Sequence, residues 1–147
     1  MPAKKRQWPK QIEIYGRILR NDLRLEGDSV FVYTDAAERG ETTSTAYVST
    51  SGLYGIRAHP MPARTSGPQS TIVAELRAIA LGFTKTRSAH PGHTVTILTD
   101  SLDALRYMRS WKSGETALPP GYSTAYRATG KTPTLIKLRN ACRGTAA

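Results

Sequence analysis

Three acidic residues stand where the chain could bring them together for chemistry: Asp35, Glu75 and Asp100. Asp35 ends a short β-rich run, Val30-Phe-Val-Tyr-Thr34, and Asp100 ends another, Thr94 to Thr99. Ligand sites of open α/β sheets lie outside strand ends, so carboxylates at two such ends are placed to meet. Glu75 falls inside a helical pattern. At 100° per residue it projects about 40° from Ile79, at the margin of an apolar stripe. A carboxylate there is costly unless it is paired or bound to a cation. Three converging carboxylates raise one another's pKa, and a divalent cation removes that penalty. Hard oxygen ligands suit Mg²⁺ or Mn²⁺. Taken singly, each has a plainer reading: Asp35 and Asp100 as turn or cap residues, Glu75 as a solvated helix residue.

The elements that must position these residues can be read from periodicity and turn residues. Val30–Thr34 is a short, β-rich apolar run and reads as a strand buried on both faces. Ser44–Thr50 and Leu53–Ala58 are two further β-leaning runs, with Ser51-Gly52 as the hairpin turn between them. Pro60, Pro62, Gly67 and Pro68 mark a loop. Residues 71–87 read as a helix, with Ile72, Val73, Leu76, Ile79, Ala80 and Phe83 on one stripe. Pro91-Gly92 ends it. Val95 and Ile97 alternate in a fourth strand. Ser101 caps a helix running to about Trp111, with Asp103 in its first turn. Thr132-Pro133 opens a last helix, with Leu135, Leu138 and Cys142 on its apolar edge. Strands followed by a βα alternation imply an α/β layered domain with a mixed sheet.

The chain has 147 residues, room for one domain with a sizeable core. Residues 1–28 read as a basic N-terminal extension, in which Ile12, Ile14, Ile18 and Leu19 suit either a strand or a helix. The domain proper is expected from residue 29 to 147. Lys and Arg number 21 against 11 Asp and Glu, a net charge of +10. An excess of that size favours a polyanionic partner, because cationic side chains release counterions from phosphate backbones. The single cysteine, Cys142, excludes an internal disulfide and a Cys-based zinc site. It reads as a small core residue. No apolar run approaches the ~18 residues of a membrane span, and no apolar segment follows the basic start, so the expected location is cytoplasmic.

Three short motifs, in order, carry a family resemblance. Tyr33-Thr34-Asp35 resembles the Y-T-D opening of ribonuclease H domains. Ser70-Thr71-Ile72-Val73-Ala74-Glu75-Leu76 is similar to the S-T-x-x-A-E-L form of retroviral-type members. Thr99-Asp100-Ser101 matches the T-D-S that opens the next helix. The resemblance covers about residues 29–143. It implies a ribonuclease H-like three-layer domain with a mixed β-sheet flanked by helices, C-terminally incomplete. The family's fifth strand, its His-bearing loop and its fourth carboxylate have no counterpart before Ala147, and no Asp or Glu follows Glu115. His59, His90 and His93 all precede Asp100, so none matches the loop His; they read as loop or surface residues.

The resemblance also implies a chemistry: hydrolysis of the RNA strand of RNA–DNA hybrids with two Mg²⁺ or Mn²⁺ ions. Asp35 would be shared by both ions, Glu75 and Asp100 would complete the coordination, and Glu75 would lie near the ribose 2′-OH. The alternative is a catalytically impaired nucleic-acid-binding module of the same fold. Many members place Asn or Gln before the helical Glu to grip the minor groove; Thr71 and Ile72 stand here instead. Ser70 and Thr71 are expected to bond a phosphate or 2′-OH, or to cap the helix. Arg106, Arg109, Trp111 and Lys112 are expected on a nucleic-acid-binding face, with Lys4 and Lys5 as a phosphate-binding tail; the plainer readings are a solvated helix face and a solubilising terminus. The expected partners are hybrid or other nucleic-acid duplexes, with self-association or a completing chain at the uncovered sheet edge.

Overall fold

The structure, a computed structural model, describes residues 12–17, 27–39, 42–60, 68–120, 122 and 134–144. Five strands and three helices follow one another as β1 (Ile12–Arg17), β2 (Ser29–Arg39), β3 (Thr42–Ser49), β4 (Leu53–Pro60), α1 (Pro68–Ala89), β5 (Thr94–Leu98), α2 (Leu102–Lys112) and α3 (Thr134–Gly144). The strands form one mixed sheet in the order β1-β4-β3-β2-β5. All pairs are antiparallel except β2 with β5, which is parallel. The architecture is therefore α/β, a mixed sheet flanked by helices.

Alternation along β2 and β3 sets the faces of the sheet. Val30, Val32, Thr34, Thr43, Thr45, Tyr47 and Ser49 are buried. α1 packs on this side and comes close at Gly82, where a Cβ would stand 3.0 Å from Val32 Cγ1 and Tyr47 Cβ. A side chain at that position would push helix and sheet apart, which is why a residue of low helix propensity is placed there. A second core lies among the helices: Leu76, Ile79, Ala104, Trp111, Leu135 and Leu138 are buried together, with Ile97 of β5 packed against both cores.

Three expectations are corrected. The strand beginning at Val30 is not buried on both faces: Phe31 and Tyr33 are exposed by 42% and 54%. An all-apolar run hides its own face preference, and here α1 covers one side of it. The sheet does not begin at residue 29, because Ile12–Arg17 pairs antiparallel with β4 at its edge. Nor does β2 stop at Asp35; it continues to Arg39 in register with β3. The hairpin at Ser51-Gly52 is as expected. Gly52 takes φ 91° and donates its N–H to the Ser49 carbonyl, while Ser49 and Ser51 share a hydroxyl bond of 2.7 Å. No helix is long and apolar enough to cross a membrane among the described residues.

Candidate metal centre

Strand register brings two of the carboxylates side by side. The parallel ladder of β2 and β5 ends at the pair Tyr33–Leu98. Asp35 and Asp100 each lie two residues beyond that pair, and neighbouring strands are separated by about 4.8 Å. β2 carries Asp35 onward as strand. β5 instead gives way to the N-terminus of α2, where Ser101 Oγ accepts the Ala104 N–H at 3.2 Å and the Thr99 hydroxyl accepts the Ser101 N–H at 3.1 Å. This cap fixes the backbone on the far side of Asp100.

Glu75 comes from α1. One carboxylate oxygen from each of Asp35, Glu75 and Asp100 lies within 4.8 Å of the other two. Asp35 and Asp100 are exposed and Glu75 is buried. Burial is the largest influence on the Glu75 carboxyl. With the nearby charges of Asp35 and then Asp100 it pushes the pKa from 4.5 up to about 7, against a backbone hydrogen bond from Ala36. The Ala36 N–H also donates to Asp35 Oδ1 at 2.9 Å. Among the described residues, no hydrogen-bond partner reaches the buried Glu75 Oε2.

That orphaned oxygen is the test of whether a cation suits the site. A buried carboxylate with one oxygen lacking a donor, set among two more carboxylates, is an arrangement a hard divalent ion relieves. The 4.8 Å span fits one cation with oxygen bonds of ~2.0–2.1 Å after small side-chain rotations, or a pair ~3.5–4 Å apart. An all-carboxylate donor set suits a hard divalent cation such as Mg²⁺, Ca²⁺ or Mn²⁺ better than a soft metal.

The remaining sequence-predicted residues divide. Arg106, Arg109 and Lys112 are exposed on α2, and Arg106 pairs with Asp103 at 3.3 Å in a solvent-screened contact. Trp111 is a correction. It is completely buried, its ring packs beside Tyr107, and its indole N–H donates to the Ala117 carbonyl at 2.7 Å. It has no face left for a nucleic acid, because it anchors α2 to the helical core. Ser70 and Thr71 lie inside α1, which begins at Pro68, so neither caps it; Thr71 is exposed and the Ser70 side chain lies outside the described residues. Lys4 and Lys5 lie outside them as well.

His90 and His93 are half-buried at the α1–β5 turn, their rings 5.5 Å apart; burial foremost, then His93 and Arg17, lowers the His90 pKa. Cys142 is buried, and burial pushes its thiol pKa up. The outer sheet face was not foreseen from the sequence. The run Val30-Phe-Val-Tyr33 carries no polar alternation that could have marked it. No known family model matches the chain, and no curated protein matches it.

Proposed function

We propose that the chain is a ribonuclease H-like, metal-dependent endonuclease that hydrolyses the RNA strand of RNA–DNA hybrids. The observation that carries this reading is the convergence of carboxylate oxygens of Asp35, Glu75 and Asp100 within 4.8 Å of one another, with one oxygen of the buried Glu75 lacking a hydrogen-bond partner among the described residues. The three motifs that hold these residues, Y-T-D, S-T-x-x-A-E-L and T-D-S, support the hybrid as substrate.

Asp35, Glu75 and Asp100 would hold the ions, with Asp35 shared between them. When bound, Mg²⁺ or Mn²⁺ supplies Lewis acidity to the phosphate and lowers the pKa of the attacking water. The net reaction adds water across the P–O3′ bond and leaves a 5′-phosphate and a 3′-hydroxyl. Glu75, with a pKa of about 7, is close to half-protonated at neutral pH before a cation arrives, so loading the site should release about half a proton on average. The exposed cations of α2, Arg106, Arg109 and Lys112, would hold the phosphate backbone without reading sequence.

The test is cleavage of a labelled hybrid in Mg²⁺. Asp35→Asn removes the shared ligand and should abolish cutting, while binding in EDTA barely changes. A parent chain that binds the hybrid yet cuts it in neither Mg²⁺ nor Mn²⁺ would be a nucleic-acid-binding module of this fold.

A further inference from the structure

The turn between α1 and β5 reads His90-Pro91-Gly92-His93 and brings two imidazoles together. His90 extends the end of α1 by donating its N–H to the Thr86 carbonyl at 2.9 Å, and the His93 N–H returns to the His90 carbonyl at 3.2 Å. Gly92 takes φ 86°, a conformation that lets the chain reverse within the turn. The two rings come to lie 5.5 Å apart, inclined at 64°. His90 Nε2 and His93 Nδ1 are each shielded from solvent, and neither has a hydrogen-bond partner among the described residues.

An edge-to-face ring pair accounts for the contact but leaves two buried nitrogens unsatisfied, which is costly. A shared ligand relieves both. A nitrogen of each ring about 2.0–2.1 Å from one ion puts the ring centroids about 3.2 Å from it, and roughly 5.2 Å apart at the tetrahedral angle. The observed 5.5 Å reaches that spacing by a small ring rotation. Imidazole nitrogen selects borderline transition ions such as Zn²⁺, Ni²⁺ and Cu²⁺ over the hard ions that carboxylates take. Burial foremost, then His93 and Arg17, lowers the His90 pKa, so the ring is neutral at pH 7 and keeps a lone pair. The Arg17 side chain is exposed, and water and salt screen its repulsion of a cation. An anion fits less well, because the pair would have to take up charge beside Arg17.

We propose that His90 and His93 form a two-imidazole site for a Zn²⁺-class ion, with water filling the remaining positions. The site is separate from the carboxylate centre and independent of the nuclease reading. The five residues of β5, at about 3.3 Å each, put roughly 16 Å of strand between the two. An ion here ties the end of α1 to the start of β5, the elements that carry Glu75 and lead to Asp100. It acts as a clip on the scaffold and takes no part in the chemistry at Asp35.

The experiment titrates the full chain with Zn²⁺ in excess Mg²⁺ and follows the imidazole nitrogen resonances by NMR. His90 Nε2 and His93 Nδ1 should respond together and saturate at one ion per chain, and the melting temperature should rise. Losing a ligand costs at least what losing an outer-shell partner does, so His90→Ala and His93→Ala should each weaken Zn²⁺ about tenfold or more and remove the thermal shift. His59→Ala and Asp35→Asn should change neither. Zn²⁺ that moves neither nitrogen, or that binds His90→Ala as tightly as the parent, overturns the site. So does a response spread evenly over His59, His90 and His93, which is adventitious binding to single histidines. The nitrogen resonances of the unaltered chain decide the matter even where a variant fails to fold.

Discussion

Glu75→Gln should make the metal-free chain more stable, increasingly so as pH rises above about 4.5. Folding raises the Glu75 pKa from 4.5 to about 7, through burial first and then Asp35 and Asp100. A group shifted upward contributes stability that is fully present below about 4.5 and is lost as pH rises through about 7. Left unscreened, that difference is worth about 3 kcal/mol once the carboxylate is fully charged. Asp35 and Asp100 are exposed, and solvent screening brings the expected loss to about 1–2 kcal/mol. For a chain of this size the loss is roughly 3–8 °C in melting temperature. Glutamine carries no charge to desolvate, so the two proteins should match in acid and diverge toward about pH 8. His90 titrates in the opposite sense: its lowered pKa gives stability present above 6.5 and lost as pH falls. That contribution is common to both chains and cancels in their difference. Urea or thermal denaturation in EDTA across this range measures the effect. Mg²⁺ should then recover stability at high pH in the parent far more than in the variant. A difference that stays constant with pH would refute the claim that burial and two neighbouring carboxylates act on Glu75.

Other consequences follow from individual side chains. Trp111→Ala should cost about 3–5 kcal/mol in chemical denaturation, because it empties a fully buried site in the helical core. Ser101→Ala should cost about 1 kcal/mol, the loss of the α2 cap, and should lower cleavage more than stability if the cap holds Asp100 in place. Neutralising Arg106 or Arg109 should weaken hybrid binding alike across sequences. Each phosphate left without its cation should reduce the slope of log affinity against log salt by about one, measured by titration at several salt concentrations.

The site was more legible in the sequence than the sheet around it, and the reasons are local. Asp100 and Ser101 announce a strand end and a helix cap in adjacent letters, and the structure has both. Glu75 stood out because a carboxylate beside Leu76 and Ile79 breaks an apolar stripe. β1 was harder: Ile12, Ile14 and Gly16 alternate with Glu13, Tyr15 and Arg17, but a glycine in one row and a tyrosine in the other blur the period. The structure resolves this by laying Tyr54 of β4 over Gly16, where a Cβ would come within 2.6 Å of its hydroxyl. Trp111 was misread because its neighbours Arg109 and Lys112 are basic. Neighbours in sequence lie about 100° apart on a helix, so they say little about its own direction. Ala104, seven residues earlier on the same side, was the better guide.

The ladder between β2 and β5 makes the meeting of two of the candidate ligands a matter of counting. Asp35 and Asp100 meet because each is two steps past the same paired rung, Tyr33 with Leu98. Side chains on a strand alternate, so adding or deleting one residue between the Tyr33 rung and Asp35 turns that carboxylate to the opposite face. Substitutions elsewhere on these strands can alter packing and leave the count intact. The chain should therefore tolerate exchanged letters near the centre far better than an inserted or missing one. A drifting sequence could keep this centre through many replacements and lose it to a single shift in length.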